Sequence, residues 1–114
     1  MKNVTFVSAL ALTFAIASQA FAGFQGPGLK TSTVAQALEM SDDTPVVLEG
    51  NIEQSLGDEK YMFKDASGSV VVDIDDEDWR GMTVTPQDTV IINGEVDKDF
   101  FKTKIDVDSI SIKK

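Results

Sequence analysis

Carboxylates are the residues of this chain whose type and spacing most invite chemistry. Asp73, Asp75, Asp76, Glu77 and Asp78 form the densest acidic run, and Asp73 and Asp75, two positions apart, share one face of an extended strand. Oxygen ligands at that spacing suit calcium, magnesium or a bound cationic group. The EF-hand pattern fails, however: with Asp73 in its first position, Asp78 stands where the sharp turn requires glycine and Val84 where the bidentate glutamate belongs. The same run also reads as a solvated acidic edge that blocks strand pairing or opens a helical turn. Asp106 and Asp108 make a second pair, near Asp97 and Asp99, and are expected to converge with Glu49 or Glu95 in a shallow acidic groove. Two carboxylates are the minimum for glycoside hydrolysis, but one must be held protonated by burial, and nothing in the sequence marks such an acid.

Aromatic residues form the other group of interest. Tyr61, Phe63, Trp79, Phe100 and Phe101 include the kind of stacking platform on which barrels hold bases or sugars. Phe63 and Trp79 are expected in the core, whereas Tyr61, Phe100 and Phe101 are candidates for a surface face. Nucleic acid is disfavoured, because its affinity rests on neutralising phosphates, and the cluster Lys98, Lys102, Lys104, Lys113 and Lys114 has acids interleaved. Stacking beside carboxylates better suits sugars bearing amines or peptide stems, as in the cell wall. Lys60 and Arg80 read as partners of surface acids, pairs worth about 0 to 1 kcal/mol that identify no site.

Histidine and cysteine are both absent. There is accordingly no disulfide, no zinc or copper site of the usual kind, and no Ser-His or Cys-His nucleophile. No cofactor is expected.

The first 22 residues have the form of a cleavable export signal. Lys2 supplies the positive start, Val4 to Ala17 is an apolar run too short to span a bilayer, and Ala20-Phe21-Ala22 is the small-x-small pattern cut by a signal peptidase. Lys2 is the only charged residue removed with them, so 9 basic residues then face 19 acidic ones, a formal net of −10. Such a field repels phosphate backbones and anionic lipid and attracts polycations and hard metal ions. Residues 23–32, with Gly23, Gly26, Pro27 and Gly28, read as a flexible lead.

Residues 33–114 read as one small domain. Thr33 with Gln36 three positions on predicts a helix N-terminus, followed by Val34, Ala37 and Leu38 on one face. Beyond Ser41-Asp42-Asp43-Thr44-Pro45 the apolar period becomes two. Val46, Leu48, Gly50 and Ile52 share a face of the first strand, with Gly50 where the sheet must bend. The second strand runs near Lys60 to Asp65, and Ala66-Ser67-Gly68 turns it into a third, Ser69 to Asp75, with Val70, Val72 and Ile74 on one side. Asp76 to Arg80 is expected as a helical turn whose Trp79 plugs one end of the core. Val90, Ile92, Gly94 and Val96 mark the fourth strand. In the fifth, the apolar phase slips between Val107 and Ile110, which predicts a bulge near Asp108. The fold class expected is all-β: a small five-stranded barrel of the oligonucleotide/oligosaccharide-binding (OB) type, with a short N-terminal helix and a helical turn between strands three and four.

Several runs carry a family resemblance: Val47-Leu48-Glu49-Gly50-Asn51-Ile52, Leu56 to Phe63, Asp65-Ala66-Ser67-Gly68, Val72-Asp73-Ile74-Asp75, Trp79-Arg80-Gly81 and Gly94 to Asp99. In combination they resemble the bacterial OB-fold (BOF) family of small, YgiW-like periplasmic stress proteins. That resemblance implies a periplasmic, non-enzymatic OB barrel linked to envelope stress and to tolerance of oxidants, cationic peptides or metals.

Together these readings describe a monomeric periplasmic binding module that takes a small cationic or peptidoglycan-type ligand on an acidic face. Asp73, Asp75, Asp106 and Asp108 would supply charge, and Tyr61 and Phe101 a stacking surface. A divalent-cation protein and a module docking on an envelope protein stand as alternatives. Neither nucleic-acid binding nor membrane insertion after signal cleavage is expected.

Overall fold

A computed structural model describes residues 30–114. The expected signal peptide and most of the expected lead lie outside these residues. The described elements are β1 (Thr31–Ser32), α1 (Val34–Leu38), β2 (Pro45–Gly57), β3 (Lys60–Asp65), β4 (Gly68–Asp73), a 3-10 turn (Asp76–Trp79), β5 (Val90–Lys98) and β6 (Thr103–Ile112). Thr31 and Ser32 fall in the stretch read as lead, yet they pair in parallel with Val47 and Leu48. The hydrogen-bonding edge of β2 supplies that structure, which local composition does not announce.

Five strands close a barrel in the order β2-β3-β4-β6-β5, with β5 pairing back onto β2. Every contact is antiparallel except β4 with β6, which is the strand arrangement of an OB barrel and removes free sheet edges. The inward residues follow the period-two pattern: Val46, Leu48, Ile52, Phe63, Val70, Val72, Ile74, Val90, Ile92, Val96, Ile105, Val107 and Ile110 are buried.

Closure depends on a few backbone irregularities. β2 runs longer than its alternating segment because it gains extra residues at two points, between Ile52 and Gln54 and between Ser55 and Gly57, and such bulges bend and coil a strand. The phase slip in β6 has the same cause. Asn93 pairs with Ser109 but Gly94 with Val107, leaving Asp108 as the additional residue. Gly50 and Gly94 sit where strands cross most closely: a Cβ at Gly50 would overlap the Lys64 carbonyl and lie 2.8 Å from Phe63 Cζ, and one at Gly94 would overlap the Asp106 carbonyl.

Helix α1 covers one end of the barrel. Its capping box forms as the sequence predicts, with Gln36 N donating to Thr33 Oγ1 at 3.1 Å and Thr33 N to Gln36 Oε1 at 2.9 Å. Val34 and Ala37 are buried, while Leu38, expected on the same face, stays 36% exposed as the last residue of the helix. Asp65 fastens this end. Its carboxylate accepts from Val34 N at 2.9 Å and from Ser67 N, Ser67 Oγ and Gly68 N. Burial opposes its charge, but the Ser67 hydroxyl and the three backbone N–H groups outweigh that and hold its pKa below the usual value.

Candidate functional site

The acidic residues singled out in the sequence separate into two groups on the structure. Strands β4, β6 and β5 place Asp73 beside Asp106 and Asp106 beside Glu95, so these three lie in register across one outer face. Lys104, two residues before Asp106, projects to the same side and its Nζ sits at the centre: 2.9 Å from Asp106 Oδ1, 3.1 Å from Asp97 Oδ2 and 3.2 Å from Asp73 Oδ2. Lys60 adds a looser contact, 3.6 Å from Asp73. Partial burial opposes the Lys104 charge, yet hydrogen bonds to Asp106, Asp97 and Asp73 outweigh it and push its pKa above the usual ammonium value. The cationic group that this set of carboxylates suits is thus provided by the chain itself.

The second group gathers where β4 ends. The Gly57-Asp58-Glu59 turn has positive φ at all three residues, 86°, 55° and 65°, and it carries Glu59 across to the start of the 3-10 turn. Ile74 N donates to Glu59 O and Asp76 N to Glu59 Oε2, each at 2.8 Å. Carboxylate oxygens of Glu59, Asp73 and Asp75 lie within 4.8 Å of one another. Asp75, Asp76 and Glu77 continue the rim into solvent, and none of Glu59, Asp75, Asp76, Glu77 and Asp78 is in an ion pair among the described residues. The rim is an open, negatively charged edge in direct continuity with the Lys104 cluster through Asp73.

Some expected neighbours stay apart. Asp108 is the exposed bulge residue of β6 and lies outside both groups. Glu49 does not converge with Asp106, because its carboxylate meets Lys113 Nζ at 2.8 Å. Tyr61 is half-buried and packs edge-on against Trp79, ring centroids 5.2 Å apart, which seats it against the 3-10 turn that carries Asp76, Glu77 and Asp78. Trp79 closes that end of the core. Phe101 is 95% exposed in the β5–β6 turn, and its ring partner there is Phe100.

Two functional residues escape a reading of the acidic motifs alone. Lys104 carries a signal, since a lysine two positions from Asp106 must share its face of the strand. Glu59 carries none: only the left-handed turn conformation, uncommon for glutamate, brings it to the Asp75 end of the barrel.

A closed five-stranded barrel with a half-buried aromatic pair at its mouth and an acidic rim above it defines a small OB-type module. The chain belongs to the Bacterial OB fold (BOF) protein family, whose model matches residues 13–112. It is 54% identical over 101 residues to Protein YgiW of Escherichia coli (strain K12), covering 77% of this chain and 78% of that protein. It is 45% identical over 93 residues to the calcium-regulated OB-fold protein CarO of Pseudomonas aeruginosa, covering 80% of each. The solved structure of YgiW from E. coli superposes with a TM-score of 0.74 at 51% identity, covering 81% of this chain and 99% of that one.

Proposed function

We propose that this chain is a non-enzymatic periplasmic binding protein acting in envelope stress tolerance, and that it takes a cationic or cell-wall-derived ligand on its acidic rim. The observation that carries the reading is the contrast in pairing: Asp73, Asp97 and Asp106 hold Lys104, whereas Glu59, Asp75, Asp76, Glu77 and Asp78 are in no ion pair among the described residues. An amine entering beside Asp73 would extend the arrangement that Lys104 already exemplifies. Tyr61 and Trp79, half-buried beneath the rim, offer an aromatic floor for the apolar part of such a ligand. The export signal read in residues 1–22 supports the compartment, and membership of the BOF family supports a binding role.

A binding role rather than catalysis is supported by the state of the acids. Among the described residues no charged side chain is fully buried, and the two carboxyls with shifted pKa, Asp65 and Asp99, are pushed down rather than up. A general acid working near neutral pH requires the opposite shift.

Calcium is the second reading. The carboxylates of Glu59, Asp73 and Asp75, within 4.8 Å of one another, favour it, and a relative described as calcium-regulated adds to it. Calorimetric titration with spermine, a muropeptide and calcium at low and physiological salt tests both. Saturable spermine or muropeptide binding that a Glu77→Gln/Asp78→Asn variant weakens supports the proposal. Calcium binding that resists salt and shifts Trp79 fluorescence, with neither organic probe bound, replaces it by the second reading.

A further inference from the structure

The turn joining β5 to β6 ends in two exposed rings set in an acidic surround. Phe100 and Phe101 stand 98% and 95% exposed, and their ring centroids are 6.3 Å apart at 59°, so they form one apolar tip. Its base is fixed. Asp99 Oδ1 accepts from Phe101 N at 2.9 Å and Lys102 N at 3.0 Å; these bonds lower the Asp99 pKa, so its charge stands and offsets that of Lys102. Lys98 Nζ donates to Leu38 O at 3.1 Å, which ties the turn to the end of α1 and to the exposed Leu38. Lys98 N donates to Asp42 Oδ1 at 2.8 Å and Asp43 N to Val96 O at 2.7 Å, so the loop between α1 and β2 lies along the same base. That loop and the helix end bring Glu39, Asp42 and Asp43, all exposed. With Asp99 they make four carboxylates in no ion pair among the described residues, against Lys102 and a Lys98 whose Nζ is already held by Leu38 O.

We propose that this end of the barrel docks a basic, apolar-bearing polypeptide segment of a partner protein, with Phe100 and Phe101 packing among its apolar side chains and Glu39, Asp42, Asp43 and Asp99 facing its lysines or arginines. The rings stabilise nothing in the fold, and an exposed aromatic pair is unfavourable in water until something covers it. Charge selects the cover. Four acids against two bases repel an anionic surface and attract a cationic one, and they orient that encounter toward the rings. A second copy of the chain is disfavoured twice. It carries the same acids, and two tips face to face, at about 200 Å² for each ring, bury about 800 Å² in all, less than the about 1,200 Å² of a stable interface. A segment laid from the rings across Leu38 to the acids of the α1–β2 loop gains contact that the tip alone does not offer. The surface is separate from the acidic rim, because β4 and β6 run parallel and the tip precedes the start of β6, whereas Asp75 follows the end of β4.

Fluorescence anisotropy at physiological salt with two labelled probes, a helical leucine/lysine peptide and an extended phenylalanine/lysine peptide, tests the proposal. The chain without residues 1–22 is used, which keeps every residue of the core from Val34 to Ile110. The expected result is saturable binding of at least one peptide, with an about tenfold loss of affinity in Phe100→Ser/Phe101→Ser. Glu39→Gln/Asp43→Asn should lose about fivefold, the effect of two exposed charge pairs, and asparagine tolerates the positive φ of 68° at position 43. Both variants keep the parent melting temperature, because the altered side chains lie outside the core. Glu77→Gln/Asp78→Asn, on the rim, should bind the peptides as the parent does, so failure here and failure at the rim are told apart. Binding of neither peptide overturns the proposal, as do equal binding of a phenylalanine/glutamate peptide, affinity unchanged in the phenylalanine variant, and loss confined to the rim variant. Self-association or vesicle binding that Phe100→Ser/Phe101→Ser abolishes, with no peptide bound, assigns the tip to a second copy or to a bilayer instead.

Discussion

Two acidic regions of this barrel meet at Asp73 yet do different work. On the outer face of β4, β5 and β6, Asp73, Asp97 and Asp106 surround Lys104 at 2.9 to 3.2 Å, so they already share an internal cation that offsets part of their charge. Around the mouth, Asp75, Asp76 and Glu77 face solvent, and neither they nor Glu59 and Asp78 are in an ion pair among the described residues. The difference teaches that acidic density in the sequence is a poor guide to a free binding surface. What matters is whether strand register delivers an internal cation, and here it does so for one group and not the other.

The comparison breaks most completely if the register itself is lost. Gly94→Ala sets a Cβ against the Asp106 carbonyl, on the strand pair that positions Asp106 beside Lys104, and should cost about 3 kcal/mol; thermal unfolding read by circular dichroism measures it. Asp65 sharpens the contrast from another side, as a carboxylate used wholly for architecture. Asp65→Ala removes the acceptor for Val34 N, Ser67 N and Gly68 N and should lower stability by about 2 kcal/mol. Its native pKa lies below the usual 3.8, so its contribution is present above that value and lost as pH falls through the lower native one. Parent and variant should therefore draw closer in melting temperature as pH falls below 3.8.

Lys104→Met probes the paired region directly. Without the ammonium, Asp73, Asp97 and Asp106 repel one another, and stability should fall by about 1 kcal/mol at neutral pH. The same variant should bind spermine more tightly than the parent, since the internal competitor is gone. The smallest effect belongs to the open rim: Asp75→Asn and Glu77→Gln should each change stability by less than about 0.5 kcal/mol, as expected for exposed residues in no ion pair.

Much of the scaffold was legible in the sequence because it follows from local rules. The alternation of Val70, Val72 and Ile74 gave the facing of β4, the Thr33–Gln36 pair gave the helix start, and the slip between Val107 and Ile110 gave the bulge at Asp108. The site was legible only in part. Asp73, Asp75 and Asp106 were visible as acids, but which of them are neutralised depends on the parallel pairing of Asp73 with Asp106, a contact between residues far apart in the chain. Tyr61 was a candidate for a surface stacking face; its packing against Trp79 arises from the 3-10 turn that brings Trp79 onto it. Thr31 and Ser32 were hidden for the same reason, since β2 supplies their partner.

The central claim is that the acids left unpaired at the mouth form the cation-binding surface. Spermine calorimetry on two variants with equal loss of charge, Asp75→Asn/Glu77→Gln and Asp97→Asn/Asp106→Asn, tests it most directly. The account predicts an about tenfold loss of affinity in the first and little change in the second, whose carboxylates already hold Lys104. Equal weakening in both would show that only total charge matters, and loss confined to the second would place the ligand on the paired face and contradict the account.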